Sequence, residues 1–302
     1  MHKRFQGLSR HEAVAGYLFS LPLVLGVYLF SIGPIGFSFI MSFMDWNIVT
    51  APTYAGFANF HTLFENDEFW RELLNTVYYA FGSVPIALIL SIFLAVALNR
   101  KLPLRSLFRT VYFLPSVTMP VAIALVWRWL FNSQYGLVNL LLKVLGTEGP
   151  QWLGDPQYIM PALIIVTIWK SVGYNMIILL AALQGVSPSY YEAADLDGAS
   201  DWQKFTNITL PQISPSIFFL SVMMIMNAMK AFDLVYMFGG GADVVQGPVL
   251  LATRTMVYGI YEKAFTYMKM GYASAECVVL FCMILIMTRV QFRMEKKWVS
   301  YD

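Results

Sequence analysis

The sequence predicts an all-α membrane protein with six transmembrane helices. Of its 302 residues, 58% are hydrophobic and only 13% are charged, and the mean hydropathy is +0.60. This composition is too apolar for an ordinary soluble domain. A helix needs about 20 apolar residues to cross a bilayer. Six apolar runs reach that length: 15–40, 76–98, 110–131, 159–182, 213–236 and 271–291.

Prolines interrupt several of these runs, and each removes one helical hydrogen bond. In a membrane this is tolerated when neighbouring helices or waters satisfy the freed carbonyl. We therefore expect kinked helices packed against protein rather than a simple lipid-facing bundle. The prolines are Pro22, Pro34, Pro85, Pro115 and Pro120.

Basic residues indicate the orientation of the spans. The segments that hold both termini and residues 184–211 carry twelve lysines and arginines, and the opposite segments carry five. The basic side of a membrane protein stays in the cytoplasm. Both termini are therefore predicted to be cytoplasmic, and residues 45–75, 132–158 and 237–270 to lie outside. The twelve are Lys3, Arg4, Arg10, Arg100, Lys101, Arg105, Arg109, Lys204, Arg289, Arg293, Lys296 and Lys297, and the five are Arg71, Lys143, Arg254, Lys263 and Lys269.

The polar stretch 184–211 separates two apolar runs and predicts a short helix at its start. Ser187 and Pro188 are typical of a helix cap and a first helical residue. Ser189 and Glu192 have the three-residue spacing of a capping box. We therefore expect the first helix of a hinge outside the bilayer.

A second short helix is predicted after Gly198, which can adopt the left-handed conformation that ends a helix. Ser200 and Gln203 repeat the capping-box spacing, and Asp201 places negative charge at the positive end of the helix. Pro211 is expected to close the segment before the next span.

Polar residues inside the spans indicate a path for a polar substrate, because ionisable groups in a membrane usually face protein or a wet cavity. Span four carries a stripe at helical spacing. Gly173 is expected to open space beside it, and Trp169 and Tyr174 either stack on sugar rings or serve as packing. Lys230 and Asp233 in span five are near enough to pair with each other, and Glu276 in span six is expected to reach the headgroups. The candidate residues of the path are Thr167, Trp169, Lys170, Gly173, Tyr174, Asn175, Asn227, Lys230 and Asp233, with Ser171 on the same stripe.

Several classes of function find no support in the sequence. A net charge of +2 without a concentrated basic face argues against nucleic acid. No phosphate-binding glycine loop, nucleophile elbow or complete metal-ligand pattern is present, and Cys277 and Cys282 have neither zinc nor redox spacing. We therefore predict neither an enzyme nor a metal protein. Tryptophans near span ends make membrane lipid an expected partner.

The polar stretch resembles the EAA loop of bacterial ABC importer permeases. Glu192, Ala193 and Ala194 are followed at the family's spacing by Gly198 and then by 208–211, which read Ile-Thr-Leu-Pro. In that family the loop docks on the cytoplasmic ATPase, so the resemblance implies that these residues, with Asp195, Asp197 and Trp202, form an ATPase-coupling surface. The alternative is that Glu192 only caps a helix and the loop only connects two spans.

The last third resembles the sugar-transporting branch of these permeases, which includes the maltose and glycerol-phosphate systems. The similar segments are 232–236, the glycine turn 239–241, 261–265 and 271–275. One departure is that Pro248 follows the glycine turn by seven residues instead of directly. The resemblance extends from about residue 72 to 292 and implies an oligosaccharide or related carbohydrate as substrate.

The resemblance also implies a type I ABC importer permease (MetI-like) fold in the bacterial inner membrane. Residues 1–70 would form the N-terminal tail, first helix and outer loop, 71–292 the permease domain, and 293–302 the cytoplasmic tail. The implied partners are a second homologous permease, an ATPase dimer that holds ATP and Mg, and an external sugar-binding protein. No cofactor is expected in this chain.

Two other functions remain open at this point. An ion-coupled secondary transporter would use Lys170, Asp233 and Glu276 as relay residues, but its inverted repeats are not found. A membrane scaffold would leave the polar stripe of span four unexplained. Lys170, Lys230 and Arg128 would suit an acidic sugar or a phosphate ester, unless Lys230 is neutralised locally and Arg128 lies at the interface.

Overall fold

The computed structural model describes residues 10–100, 103–239 and 247–300 and is almost entirely helical. Lys3, Arg4 and Lys101 of the charge count, and two glycines of the turn 239–241, lie outside these residues. The α-helices are Arg10–Val27 (α1), Gly33–Met41 (α2), Ala58–Glu65 (α3), Asp67–Asn99 (α4), Arg105–Val117 (α5), Pro120–Leu130 (α6), Leu137–Val144 (α7), Ile159–Gly185 (α8), Pro188–Leu196 (α9), Asp201–Lys204 (α10), Leu210–Met229 (α11), Asp233–Gly239 (α12), Pro248–Thr253 (α13), Met256–Tyr261 (α14) and Met270–Glu295 (α15).

Among the described residues, five helical segments are long and apolar enough to cross a membrane, and a sixth span arises only if α5 and α6 are counted together. These two helices are bent by 102° relative to each other. The apolar run 110–131 therefore falls on two helices with a break at Pro120, one of the prolines expected to interrupt the spans. Pro120 explains the break, because a proline disfavours helical geometry in the residue before it, and Met119 is extended with ψ of 133°.

The described residues contain three π-helical segments, Tyr28–Ile32, Phe205–Thr209 and Glu262–Thr266. The first two each lead directly into a helix that has proline in its first turn. In each, a backbone N–H donates to the carbonyl five residues earlier, from Gly33 to Tyr28 and from Leu210 to Phe205. A proline lacks the N–H for the regular ladder and clashes with the carbonyl four residues back. The extra residue of each of these two π segments lets the helix continue through the proline.

Residues 10–63 and 263–278 form one compact unit. It contains α1, α2 and a two-stranded antiparallel sheet, Met44–Asp45 (β1) paired with Thr53–Tyr54 (β2). Most apolar side chains of α1 are exposed, as with Phe19. Such a helix suits a lipid environment better than water.

The same unit contains a buried ion pair. The Lys263 ammonium donates to a Glu276 carboxylate oxygen at 2.9 Å, and Glu276 is 0% exposed. The expectation that Glu276 reaches the headgroups is therefore wrong, because it lies inside protein. Removing one partner of such a pair leaves an uncompensated buried charge, so the two residues depend on each other.

The second compact unit consists of residues 64–262 and 279–300 and is built around α8. This helix packs against α4, α5 and α11, and α11 also packs against α4. The α8 and α5 backbones approach closely, since a Cβ on Gly173 would lie 1.7 Å from the Tyr112 carbonyl oxygen. Gly173 is therefore required for helix packing and does not open space as predicted.

Arg254 is nearly buried in this second unit and holds the turn before α14 through two carboxylates. Its guanidinium contacts Glu68 at 3.3 Å and pairs closely with Glu262. Burial alone lowers the pKa of Arg254, but the attraction of Glu262 and Glu68 outweighs this effect and raises it. Arg254 is thus a permanent cation neutralised within its own unit.

Candidate substrate cavity and coupling loop

A cavity of about 610 Å³ lies between α4, α8, α11 and the start of α12. This volume falls in the range of small-molecule sites. Seven of the nine residues predicted to form the substrate path line it: Thr167, Lys170, Tyr174, Asn175, Asn227, Lys230 and Asp233.

The α8 wall of the cavity carries polar groups at helical spacing. The hydroxyl groups of Thr167 and Tyr79 are hydrogen-bonded, with their oxygens 2.7 Å apart. Asn175 is only 3% exposed, and its amide makes no hydrogen bond to any residue that the structure describes. Because Asn175 lines the cavity, its amide is available to bind a hydroxyl group that enters there.

The opposite wall is a broken helix. Lys230 directly follows the last residue of α11, and Asp233 begins α12. The Ala231 carbonyl in the break accepts a hydrogen bond from the Thr255 hydroxyl at 3.1 Å. Irregular backbone at membrane depth is tolerated where it lines a cavity or is buried in protein. Lys230 and Asp233 form no ion pair with each other or with other residues in the described ranges, so the expected local pair is not formed.

Two predicted path residues lie outside the lining. Trp169 packs edge to face against Trp127, with ring centroids 5.4 Å apart, and Gly173 contacts α5. Arg128 also does not line the cavity.

Other lining residues were missed by the sequence argument. They come from α4, α5, α11 and the helix break, where the sequence shows no polar stripe that would mark them. They include Tyr79, Ser83, Ser116, Phe219, Met223 and Phe232.

The coupling loop begins with α9, and Gly198 adopts the predicted left-handed conformation just after this helix ends. Gly198 has φ of +74°, its N–H donates to the Asp195 carbonyl at 3.1 Å, and the Ala199 N–H donates to the Ala194 carbonyl at 2.9 Å. These two bonds define a Schellman motif. The start of α9 differs from the prediction: Ser187 is the cap, Ser189 lies inside the helix, and no Ser189–Glu192 capping box forms.

The second half of the loop has the predicted capping box. The Ser200 N–H donates to the Gln203 side-chain oxygen at 2.7 Å, and the Gln203 N–H donates to the Ser200 hydroxyl oxygen at 3.3 Å. Pro211 does not close the segment, contrary to expectation. The helix runs without interruption from Asp201 through the π segment Phe205–Thr209 to Met229.

Ion pairs hold the two parts of the loop together. Lys204 pairs with Asp195 and lies 3.9 Å from Asp201, which in turn lies 3.4 Å from the Arg100 guanidinium at the end of α4. Glu192 is exposed, and none of the described residues forms a hydrogen bond or ion pair with its carboxylate.

The most exposed large apolar side chains of the loop are Leu196 at 91% and Trp202 at 66% exposure. Exposed apolar groups beside charged ones are typical of a binding surface. Leu196 was missed because it is not part of the EAA pattern. A further cavity of about 620 Å³ adjoins this surface and is lined by Arg100, Tyr191, Asp201, Trp202 and Lys204 among others.

Membrane-length helices around a cavity with polar side chains, and a broken helix in the cavity wall, are typical of a transport protein. Residues 64–300 match the model of the family described as "Binding-protein-dependent transport system inner membrane component". The chain belongs to this family. It is a multi-pass permease subunit of an ABC importer and not an enzyme, which resolves the ion-coupled and scaffold alternatives.

Relatives cover nearly the whole chain. The probable ABC transporter permease protein YesP of Bacillus subtilis (strain 168) is 35% identical over 298 residues, covering 97% of this chain and 94% of YesP. The lactose transport system permease protein LacF of Rhizobium radiobacter is 34% identical over 289 residues, covering 94% and 95%. A chain in the crystal structure of a bacterial ABC transporter involved in import of the acidic polysaccharide alginate is 25% identical, with a TM-score of 0.82 and coverage of 95% and 96%. The predicted MetI-like helical permease fold is confirmed.

Proposed function

We propose that this permease forms half of the path for an oligosaccharide or related carbohydrate and is driven through its EAA-like loop by a cytoplasmic ATPase. The observation that carries the proposal is the single helix from Asp201 to Met229. Its start belongs to the loop, and Asn227 near its end lines the cavity. At 1.5 Å per residue these points are roughly 40 Å apart, so a push on the loop moves the cavity wall directly.

The cavity chemistry supports a carbohydrate. The hydroxyl group of Thr167 and the amide group of Asn175 can exchange hydrogen bonds with sugar hydroxyls, and the ring of Tyr174 offers an apolar face. LacF carries lactose by name, and the structural relative takes part in alginate import. The candidate path residues therefore act together as one binding wall.

The complete importer in this proposal contains a second homologous permease, an ATPase dimer with ATP and Mg, and an external sugar-binding protein. Both termini and the loop face the cytoplasm. Closure of the ATPase dimer pushes on residues 188–204, and rocking of the helices turns the cavity from outside to inside. The Schellman turn and the Lys204–Asp195 pair make the loop a firm element for this push.

The ATPase contact comprises Glu192, Ala193, Asp195, Asp197, Gly198 and Trp202, with Leu196 added by its exposure. Ala194 belongs to the same motif but is buried, so it supports the loop from inside.

Replacing the exposed apolar side chain of Leu196 tests the coupling surface. We expect Leu196→Ser to reduce the ATPase retained by the affinity-tagged permease pair at least severalfold, because the loss of a buried leucine costs about 2 kcal/mol. Leu145→Ser is the matched control, since Leu145 is 78% exposed on another segment. Equal retention for Leu196→Ser and wild type would contradict docking at this loop.

A further inference from the structure

The cavity wall carries an unbalanced set of charges. Lys170 and Lys230 line it together with a single carboxylate, Asp233. Neither lysine forms an ion pair with any residue in the described parts of the chain, and Asp233 is likewise unpaired there. The lining of this chain therefore has one positive charge in excess.

Lys170 cannot be explained as an interfacial anchor. It lies near the middle of α8, Ile159–Gly185, with Thr167 and Tyr174 on the same face, and it is only partly exposed. A cation at this depth is unfavourable unless an anion or ordered water compensates it. Lys230 lies at the helix break on the facing wall, so both lysines line the same cavity.

We propose that the cavity selects a carbohydrate with a carboxylate group, a uronate, and that Lys170 and Lys230 determine this specificity. The inference rests on the proposed function and names its substrate class. The neutral groups of Thr167, Asn175 and Asn227 bind hydroxyl groups, while the two lysines supply the positive potential that a neutral sugar does not use.

A carboxylate fits this lining better than a phosphate monoester. A phosphate monoester carries about −1.5 to −2 charges near neutral pH, whereas the excess in the lining is a single positive charge. Asp233 repels any anion and penalises the more highly charged one. Lysine binds either group as a point charge. The preference between a carboxylate and a phosphate therefore depends on the number of charges on the ligand and not on its geometry.

Direct binding to the permease–ATPase membrane complex, without the external binding protein, tests the inference. The probes are digalacturonate, its neutral counterpart galactobiose, and galactose 6-phosphate, measured by equilibrium dialysis. We expect digalacturonate to bind at least about tenfold more tightly than galactobiose, because one charge pair in a partly wet cavity is worth that much. Added salt should reduce the difference.

Charge variants assign the effect to the cavity. Lys170→Gln and Lys230→Gln should each reduce the preference for digalacturonate, Lys170→Arg should retain part of it, and Asp233→Asn should increase it. Lys143→Gln removes an exposed lysine outside the cavity and should change nothing. Size-exclusion profiles confirm assembly of each variant.

The inference is overturned if wild type binds the two disaccharides equally, binds neither, or prefers the phosphate ester. It is also overturned if the preference survives in both glutamine variants. These results leave the proposed function intact as long as Leu196→Ser releases the ATPase. If Leu196→Ser retains the ATPase as well as wild type does, but the preference for digalacturonate persists, only the proposed coupling surface is contradicted.

Discussion

Glu192 is an exposed carboxylate in a loop whose other acidic side chains are partly engaged. Asp195 pairs with Lys204 and Asp201 contacts Arg100, but Glu192 has no such partner among the residues the structure describes. Since Ser187 is the N-cap of α9, Ser189 lies inside the helix and does not form a capping box with Glu192. The structure thus contains no Ser189–Glu192 capping box, and the coupling role of Glu192 stays a prediction.

We predict that Glu192→Gln weakens the ATPase contact. If Glu192 pairs with a cation on the ATPase, neutralising it leaves that cation unpaired at a cost of about 2 to 5 kcal/mol. The expected result is lower ATPase retention in a detergent pull-down and lower transport-linked hydrolysis, with the permease pair intact. Glu148→Gln, an exposed change elsewhere, is the control. Unchanged ATPase retention and hydrolysis would mean that Glu192 does not contact the ATPase and that Asp197 or Trp202 does.

Tyr174 is the exposed aromatic residue of the polar face of α8. We predict that Tyr174→Ala lowers carbohydrate uptake while membrane abundance stays normal, because the ring offers a stacking face to the substrate and supports little packing. Ile165→Ala on the same helix, also exposed but outside the lining, is the control. Normal uptake by Tyr174→Ala at normal abundance would mean that this face of α8 does not contact the substrate.

Helical spacing located Thr167, Lys170 and Tyr174 from the sequence, because residues three and four apart share one face of a helix. The same rule cannot show which face of α4 meets that stripe, so Tyr79 and Ser83 were missed. It also cannot separate a glycine that leaves space from one that lets another backbone approach. Gly173 is of the second kind, and only the position of Tyr112 reveals it.

At the scale of the element, local patterns predicted helix ends better than helix continuity. The Gly198 turn and the Ser200–Gln203 capping box depend on neighbouring residues and were both expected. Pro211 was expected to end the segment, yet the π segment before it carries the helix onward. An inserted residue of this kind has no signature in composition, because it depends on the packing on both sides of the proline.

We predict that Gly198→Val uncouples ATP hydrolysis from transport. No atom lies within 4 Å of a Cβ at Gly198, so the cost comes only from φ of +74°. This conformation costs an L-residue about 1 to 2 kcal/mol, and more with a branched side chain. The measurement is ATPase activity with and without substrate-loaded binding protein.

Gly185→Val is the matched control for this substitution. Gly185 ends α8 with similar free space and without a positive φ. Gly198→Asn should be milder than Gly198→Val, since asparagine tolerates the left-handed conformation. Normal coupling in Gly198→Val would mean that the turn does not transmit the push.

At the scale of the whole molecule, hydropathy predicted the spans because the thickness of the bilayer sets their length. It could not show that the third span is two helices bent by 102°, since an apolar run has a length but no direction. The division of the chain at residues 70 and 292 stays a prediction. So does the orientation in the membrane, although the Arg100–Asp201 contact is consistent with α4 ending on the same side as the loop.

The orientation can be measured by labelling single cysteines. We predict that Asp197→Cys in the coupling loop reacts with a membrane-impermeant maleimide only after the membrane is opened, whereas Gln157→Cys in the outer segment reacts in intact cells. The reason is the excess of basic residues on the loop side, twelve against five. Both positions are exposed on the protein surface. A difference in labelling therefore reports the side of the membrane on which each residue lies.

The starting chain carries Cys277→Ser and Cys282→Ser, since these are its two native cysteines. Uptake by this cysteine-free chain is the control for assembly. Labelling of Asp197→Cys in intact cells would show that the coupling loop lies outside the cell. The proposed ATPase contact would then lie on the opposite side of the membrane from the ATPase. The coupling proposal would then fail as a whole, because ATP is available to the importer only from the cytoplasm. Labelling of Gln157→Cys alone would place the loop, the start of the helix from Asp201 to Met229 and the ATPase on one side.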